Sequence, residues 1–203
     1  MGKIHRLGFF ASGRGSNLQA ILQACRDGKL DATPAVVLTN NAESGAFALA
    51  KREKLPAYNL NSKTHPDSVN LDQSIAATLQ KHAVDLVVLA GYMKKIGPIT
   101  LQTYHHRIIN IHPALLPKYG GQGMYGMAVH EAVIRSGVKE TGATVHLVEE
   151  EYDTGLILAQ RRVPVRSDDT AVILAARVLE TEHVLYVDVL RNIINGAIKL
   201  QGV

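Results

Sequence analysis

The chain has 203 residues, 46% hydrophobic and 20% charged, enough for one domain with a sizeable core. Lys and Arg exceed Asp and Glu by 22 − 18 = +4, and basic residues never run beyond the pairs Lys51-Arg52, Lys94-Lys95 and Arg161-Arg162. With 5% aromatics and no Trp, the chain offers neither a stripe for a phosphate backbone nor a surface for stacking bases. Cys25 is the only cysteine, which excludes a disulfide framework, a CxxC redox pair and a thiolate-rich metal site, and points to a reducing compartment. No apolar stretch approaches the roughly 18 residues of a membrane span, and no signal-peptide block opens the chain. The expectation is a soluble, cytoplasmic protein with no nucleic-acid or membrane partner.

Short β-branched runs at 6–10, 35–39, 56–60, 85–90 and 108–111 alternate with helical spacing at 18–26, 46–54 and 71–82. Gly28 and Pro56 stop two of these helices. Strands joined by helical crossovers predict an α/β, Rossmann-like, mostly parallel sheet flanked by helices. Beyond Pro113 the pattern changes. A helix at 128–136 is followed by two strands, 143–148 and 157–165, suited to antiparallel pairing. Apolar Val172, Leu174, Leu179, Val187, Leu190, Ile193 and Ile194 then mark a long closing C-terminal helix over 170–200. No repeat or linker interrupts residues 1–203, which read as a single domain.

One segment is too long for a simple connection: residues 112–126 hold four glycines and two prolines, and long structureless loops in compact domains tend to be functional. Upstream, Ala11-Ser12-Gly13-Arg14-Gly15-Ser16-Asn17 joins the first strand to the first helix. Such a turn gathers backbone N–H groups at a helix N-terminus and suits an anion such as phosphate; the plainer alternative is a tight turn capped by Ser16 or Asn17. Leu18 breaks the dinucleotide fingerprint, and no Gly-Lys-Ser/Thr follows. At the end of the fifth strand, Asn110 and His112 share a face at the carboxyl edge of the sheet, where open α/β folds bind ligands. An amide beside an imidazole can polarise a carbonyl and move a proton. Glu149, Glu150 and Glu151 read as a solvated hairpin end. Asp153 either starts a turn or orients a histidine. His105, His106, His130, His146 and His183 lack metal-ligand spacing and read as surface or core residues, and no metal is expected. Ser16 and Cys25 lack the setting of a covalent nucleophile; Cys25 reads as packed on its helix.

Taken together, Ser-Gly-Arg-Gly-Ser-Asn-Leu-Gln-Ala at 12–20, Val-Val-Leu-Ala-Gly-Tyr-Met at 87–93, Asn-Ile-His-Pro-Ala-Leu-Leu-Pro-Lys-Tyr at 110–119 and Tyr-Asp-Thr-Gly at 152–155 resemble the phosphoribosylglycinamide formyltransferases in order and spacing. The resemblance covers essentially the whole chain. It implies transfer of a formyl group from 10-formyltetrahydrofolate, a co-substrate, to the glycinamide amine of 5-phosphoribosylglycinamide in de novo purine biosynthesis, without a metal or covalent adduct. It also implies roles: Gly15, Ser16 and Asn17 for the phosphate; Asn110, His112 and Asp153 for catalysis; Met93, Lys94, Lys95 and Ile96, with Asn110, for the folate; Glu182 for the ribosyl substrate. Asn110 and a protonated His112 would stabilise the tetrahedral oxyanion, and Asp153 would keep His112 cationic. Where relatives carry an arginine for the folate tail this chain has Ser68, which leaves Lys63 or Lys94 as substitutes. Monomer and homodimer both remain open. The alternatives are a non-catalytic folate or nucleotide binder and other formyl-folate enzymes; length argues against a methionyl-tRNA formyltransferase with its further C-terminal domain and a deformylase with its N-terminal module.

Overall fold

The computed structural model describes residues 5–200. In chain order the elements are β1 (Arg6–Phe10), α1 (Ser16–Arg26), β2 (Thr33–Thr39), α2 (Gly45–Arg52), β3 (Ala57–Asn59), α3 (Ser68–Lys81), β4 (Leu86–Leu89), α4 (Pro98–Thr103), β5 (Ile108–His112), α5 (Met127–Ser136), β6 (Glu140–Leu147), β7 (Ile157–Pro164) and α6 (Ala171–Ile194). The strands form one sheet in the order β3-β2-β1-β4-β5-β6-β7. From β3 to β5 neighbouring strands are parallel, whereas β6 runs antiparallel to β5 and β7 antiparallel to β6. This is the expected α/β architecture with its late antiparallel pair and long last helix.

Alternating side chains feed two cores. Leu7, Phe9, Leu86, Val88, Ile109 and Ile111 pack with residues of α1, α2, α5 and α6 on one face, while Phe10, Val87, Leu89 and Ile108 pack with α3 and with Ile96 and Tyr104 on the other. Burial on both faces explains why the central strands read as unbroken apolar runs. The chain winds outward from β1 to β3, then returns to place β4 beside β1. That reversal leaves a crevice at the carboxyl ends of β1 and β4.

Two elements depart from expectation. The closing helix stops at Ile194, and Gly196 follows at φ +80°, so the segment to 200 is not helical throughout. The short α4, opened by Pro98 at its first turn, was not anticipated. Among the described residues no helix is long and apolar enough to cross a membrane.

Tyr186 of α6 is fully buried and lies across the adjoining strands β4 and β5. Its hydroxyl faces the carbonyls of Leu89 at 3.0 Å and Ile109 at 3.1 Å and donates to both. Removing that donor takes a buried hydrogen bond from these carbonyls. Tyr186→Phe is therefore expected to cost about 1–3 kcal/mol of stability, measured by urea denaturation; an unchanged midpoint would contradict the bond's importance.

Candidate active site

The turn after β1 is built around Gly15, the N-cap of α1, at φ +81°. A Cβ there would lie 2.8 Å from the Ala46 Cα, so only glycine fits. No side chain caps the helix, contrary to the plainer alternative of a Ser16 or Asn17 cap, and the first-turn N–H groups are left for another acceptor. Ser12 ties this turn to the loop after β4: its N–H donates to the Gly91 carbonyl at 2.9 Å, its hydroxyl donates to Asn40 Oδ1 at 2.6 Å, and the same oxygen accepts the Met93 N–H at 2.9 Å.

At the end of β5 the antiparallel register sets Asn110 directly opposite His146 of β6. His146 donates from Nδ1 to the Leu147 carbonyl at 2.7 Å, leaving Nε2 to accept an N–H of Asn110 at 3.1 Å. The segment from β5 to α5 returns over the site. Its Leu116–Pro117 bond is cis, and the Tyr119 carbonyl accepts a hydrogen bond from His112 Nε2 at 2.7 Å. Asp153, between β6 and β7, reaches this group from the far side. Its Oδ2 lies 3.6 Å from His112 Nδ1 and accepts the Gly121 N–H at 2.9 Å, and its Oδ1 lies 3.5 Å from His146 Nε2. Gly120 permits that approach, because a Cβ there would sit 2.5 Å from a Leu116 methyl and 3.2 Å from the Asp153 Cβ.

Burial sets the electrostatics. It pulls His112 below its usual value, and the smaller opposing effects of Asp153 and of the Tyr119 carbonyl do not restore it. His112 is therefore neutral at pH 7 in the free protein, which differs from the cationic resting state expected from sequence. Burial by itself would raise the Asp153 carboxyl, but the His146 contact, the electrostatic effect of nearby His112 and the Gly121 N–H together hold it below the usual range. Glu182, 8% exposed, accepts from Asn17 Nδ2 at 2.7 Å. Burial pushes its carboxyl up to about 7 against the pull of Asn17.

One cavity of about 590 Å³ joins these groups. Asn110, His112, Asp153, Met93, Lys94, Lys95, Ile96, Asn17 and Glu182 all line it. Gly15 and Ser16 do not reach the wall and shape the turn behind Asn17. Neither Ser68, exposed at the start of α3, nor Lys63 lines it. The three glutamates at 149–151 rim the cavity, Glu149 half-buried and Glu151 paired with Lys95 at 3.8 Å, so they are more than a solvated hairpin end. Arg14, His130 and His146 also line the cavity. The two histidines had been read as surface or core residues; only the β5–β6 register and the packing of α5 reveal them.

The fold and the site together define an α/β protein that sets two histidines, an asparagine and an aspartate on one cavity with the uncapped N-terminal turn of a helix. A family model described as formyl transferase matches residues 5–190, and the chain belongs to that family. It is 46% identical over 185 residues to the chloroplastic phosphoribosylglycinamide formyltransferase of Vigna unguiculata, covering 91% of this chain but 59% of that protein. With the phosphoribosylglycinamide formyltransferase of Haemophilus influenzae it shares 38% identity over 196 residues, covering 97% of this chain and 90% of the relative. The solved glycinamide ribonucleotide transformylase 1 of Symbiobacterium toebii superposes with a TM-score of 0.91 at 36% identity, covering 100% of this chain and 93% of that one.

Two opposed pH dependences follow for stability. His130 is lowered from 6.5 to about 4 and His112 is lowered as well, so their stabilisation is whole above pH 6.5 or so and is lost as the pH falls towards their folded values. Glu182, raised from 4.5 to about 7, stabilises fully below about 4.5 and loses that contribution as the pH rises through 7. Urea denaturation at pH 7 and pH 5 is expected to show a steeper acid loss in Glu182→Gln and a shallower one in His130→Leu than in the parent. Identical pH dependence in all three would contradict both shifts.

Proposed function

We propose that the protein transfers a formyl group from 10-formyltetrahydrofolate to the glycinamide amine of 5-phosphoribosylglycinamide. The observation that carries this is the convergence of Asn110, His112 and Asp153 on one cavity with the Asn17–Glu182 pair and the 93–96 segment. The names of the relatives support it. The phosphate seats at the α1 N-terminus beside Gly15, Ser16 and Asn17, the ribose meets Glu182, and the folate lies along Met93, Lys94, Lys95 and Ile96. Lys94 or Lys95, both on the wall, takes the tail carboxylates in place of the arginine replaced by Ser68. The two partners are small molecules. One formyltransferase domain accounts for the chain, and the single Cys25 suits a reducing compartment such as the cytoplasm.

The neutral amine attacks the formyl carbon, and the carbonyl electron pair moves to oxygen, where the free N–H of Asn110 donates to the oxyanion. His112, with its proton on Nε2 held by Tyr119, uses Nδ1 to take the proton that the attacking nitrogen must lose. The ring becomes cationic only then, and Asp153 stabilises it across 3.6 Å. The oxyanion pair returns to carbon, the bond to the folate nitrogen breaks, and that nitrogen takes the proton from His112. No covalent adduct forms. Much of the remaining acceleration comes from holding both substrates in register, with the phosphate as a remote anchor.

The purified protein is expected to release tetrahydrofolate only when phosphoribosylglycinamide is present. Release without it would indicate a deformylase, transfer to initiator methionyl-tRNA a different transferase, and silence in every case a binding protein. Given turnover, His112→Ala is expected to lower kcat about 10²–10⁴-fold while the protein still folds, checked by circular dichroism; full activity in that variant would contradict the assigned role.

A further inference from the structure

The proton path above makes no use of His130. This residue lies one turn into α5, is 5% exposed and joins the cavity wall. Nδ1 is sealed in without a hydrogen-bond partner among the described residues, and the bonds that fix the rings of His112 and His146 have no counterpart at His130. A buried polar ring without partners is costly and uncommon in a native fold.

Its surroundings say what the ring offers. Burial, assisted by the facing His112, holds His130 neutral at physiological pH, so it carries a single N–H. An enclosed nitrogen with no acceptor nearby is better left as a lone pair than as an unpaired donor. The proton therefore belongs on Nε2, on the edge of the ring that meets the cavity. A neutral imidazole N–H polarises a carbonyl without competing for the protons being transferred. Position narrows the acceptor further. Helix α5 packs on α6, which carries Glu182, while the His130 ring lies within electrostatic reach of His112. Between the ribose at Glu182 and the reacting amine at His112, the ribosylglycinamide has its amide group.

We propose that His130 donates a hydrogen bond to the glycinamide carbonyl oxygen and so holds the reacting amine before His112. The contact rests on the formyl-transfer reading and assigns a further substrate-binding residue to that site. It distinguishes the glycinamide from amines that lack an acceptor at that point.

The test is calorimetric binding of phosphoribosylglycinamide, and of an analogue with the amide carbonyl replaced by methylene, to the parent protein, His130→Leu and His130→Gln. Each is first shown to fold by its melting transition, with His130→Phe in reserve for leucine. His130→Leu is expected to bind the natural substrate about three- to tenfold more weakly, with KM for the formyl folate unchanged. Parent and leucine variant should bind the methylene analogue equally, and His130→Gln should recover part of the loss. Equal binding of the natural substrate by parent and His130→Leu, or an equal loss for substrate and analogue, would overturn the contact while leaving the formyl-transfer reading intact. A parent protein that turns over formyl folate without needing phosphoribosylglycinamide would overturn both.

Discussion

The Asp153 carboxylate, withdrawn from water, meets three groups from separate parts of the chain: it accepts the Gly121 N–H at 2.9 Å and lies 3.5 and 3.6 Å from the rings of His146 and His112. These partners come from β6, β5 and the glycine-rich segment, so one buried charge fixes three parts of the chain against each other. Asp153 adopts φ +59°, a conformation that aspartate tolerates better than most residues. Replacing its carboxylate would therefore disturb the loop over the site as well as the imidazole beside it.

The sheet makes this meeting possible. Parallel strands from β3 to β5 open a crevice at their carboxyl ends, into which the β1 turn and the 91–96 loop project. The reversal of direction at β6 then brings His146 level with Asn110 and lets the following hairpin carry Asp153 back over the crevice. A further parallel strand would have needed a long crossover and left that edge open. The antiparallel addition closes the crevice with the buried group of Asp153, His112 and His146.

Much of this was legible in the sequence because local signals and tertiary demands agree there. The central strands are apolar because both faces are covered, and β1 has the bounds its residues imply. Asn110, His112 and Asp153 were recognisable from strand alternation and from their motifs. What was hidden depends on contacts distant in sequence. Helix α4 is only six residues long, and its first N–H groups are met by Asp72 of α3, which accepts from Ile99 at 2.7 Å and Thr100 at 3.1 Å. His146 and His130 carry no local spacing signal; their place on the cavity comes from strand register and from the docking of α5. The burial that pulls His112 below the usual histidine range was hidden for a related reason, since a sequence shows the nearby carboxylate of a motif but not the surroundings of the ring.

In the proposed formyl transfer His112 is neutral until the amine gives up its proton. Nitrogen-detected NMR titration of the His112 ring in the free protein tests that state most directly. The structure predicts a neutral ring at pH 7 with its proton on Nε2, becoming charged only below the usual histidine range. A ring still cationic at pH 7 would contradict the proton path from amine to folate nitrogen and would return His112 to the role of a fixed positive charge.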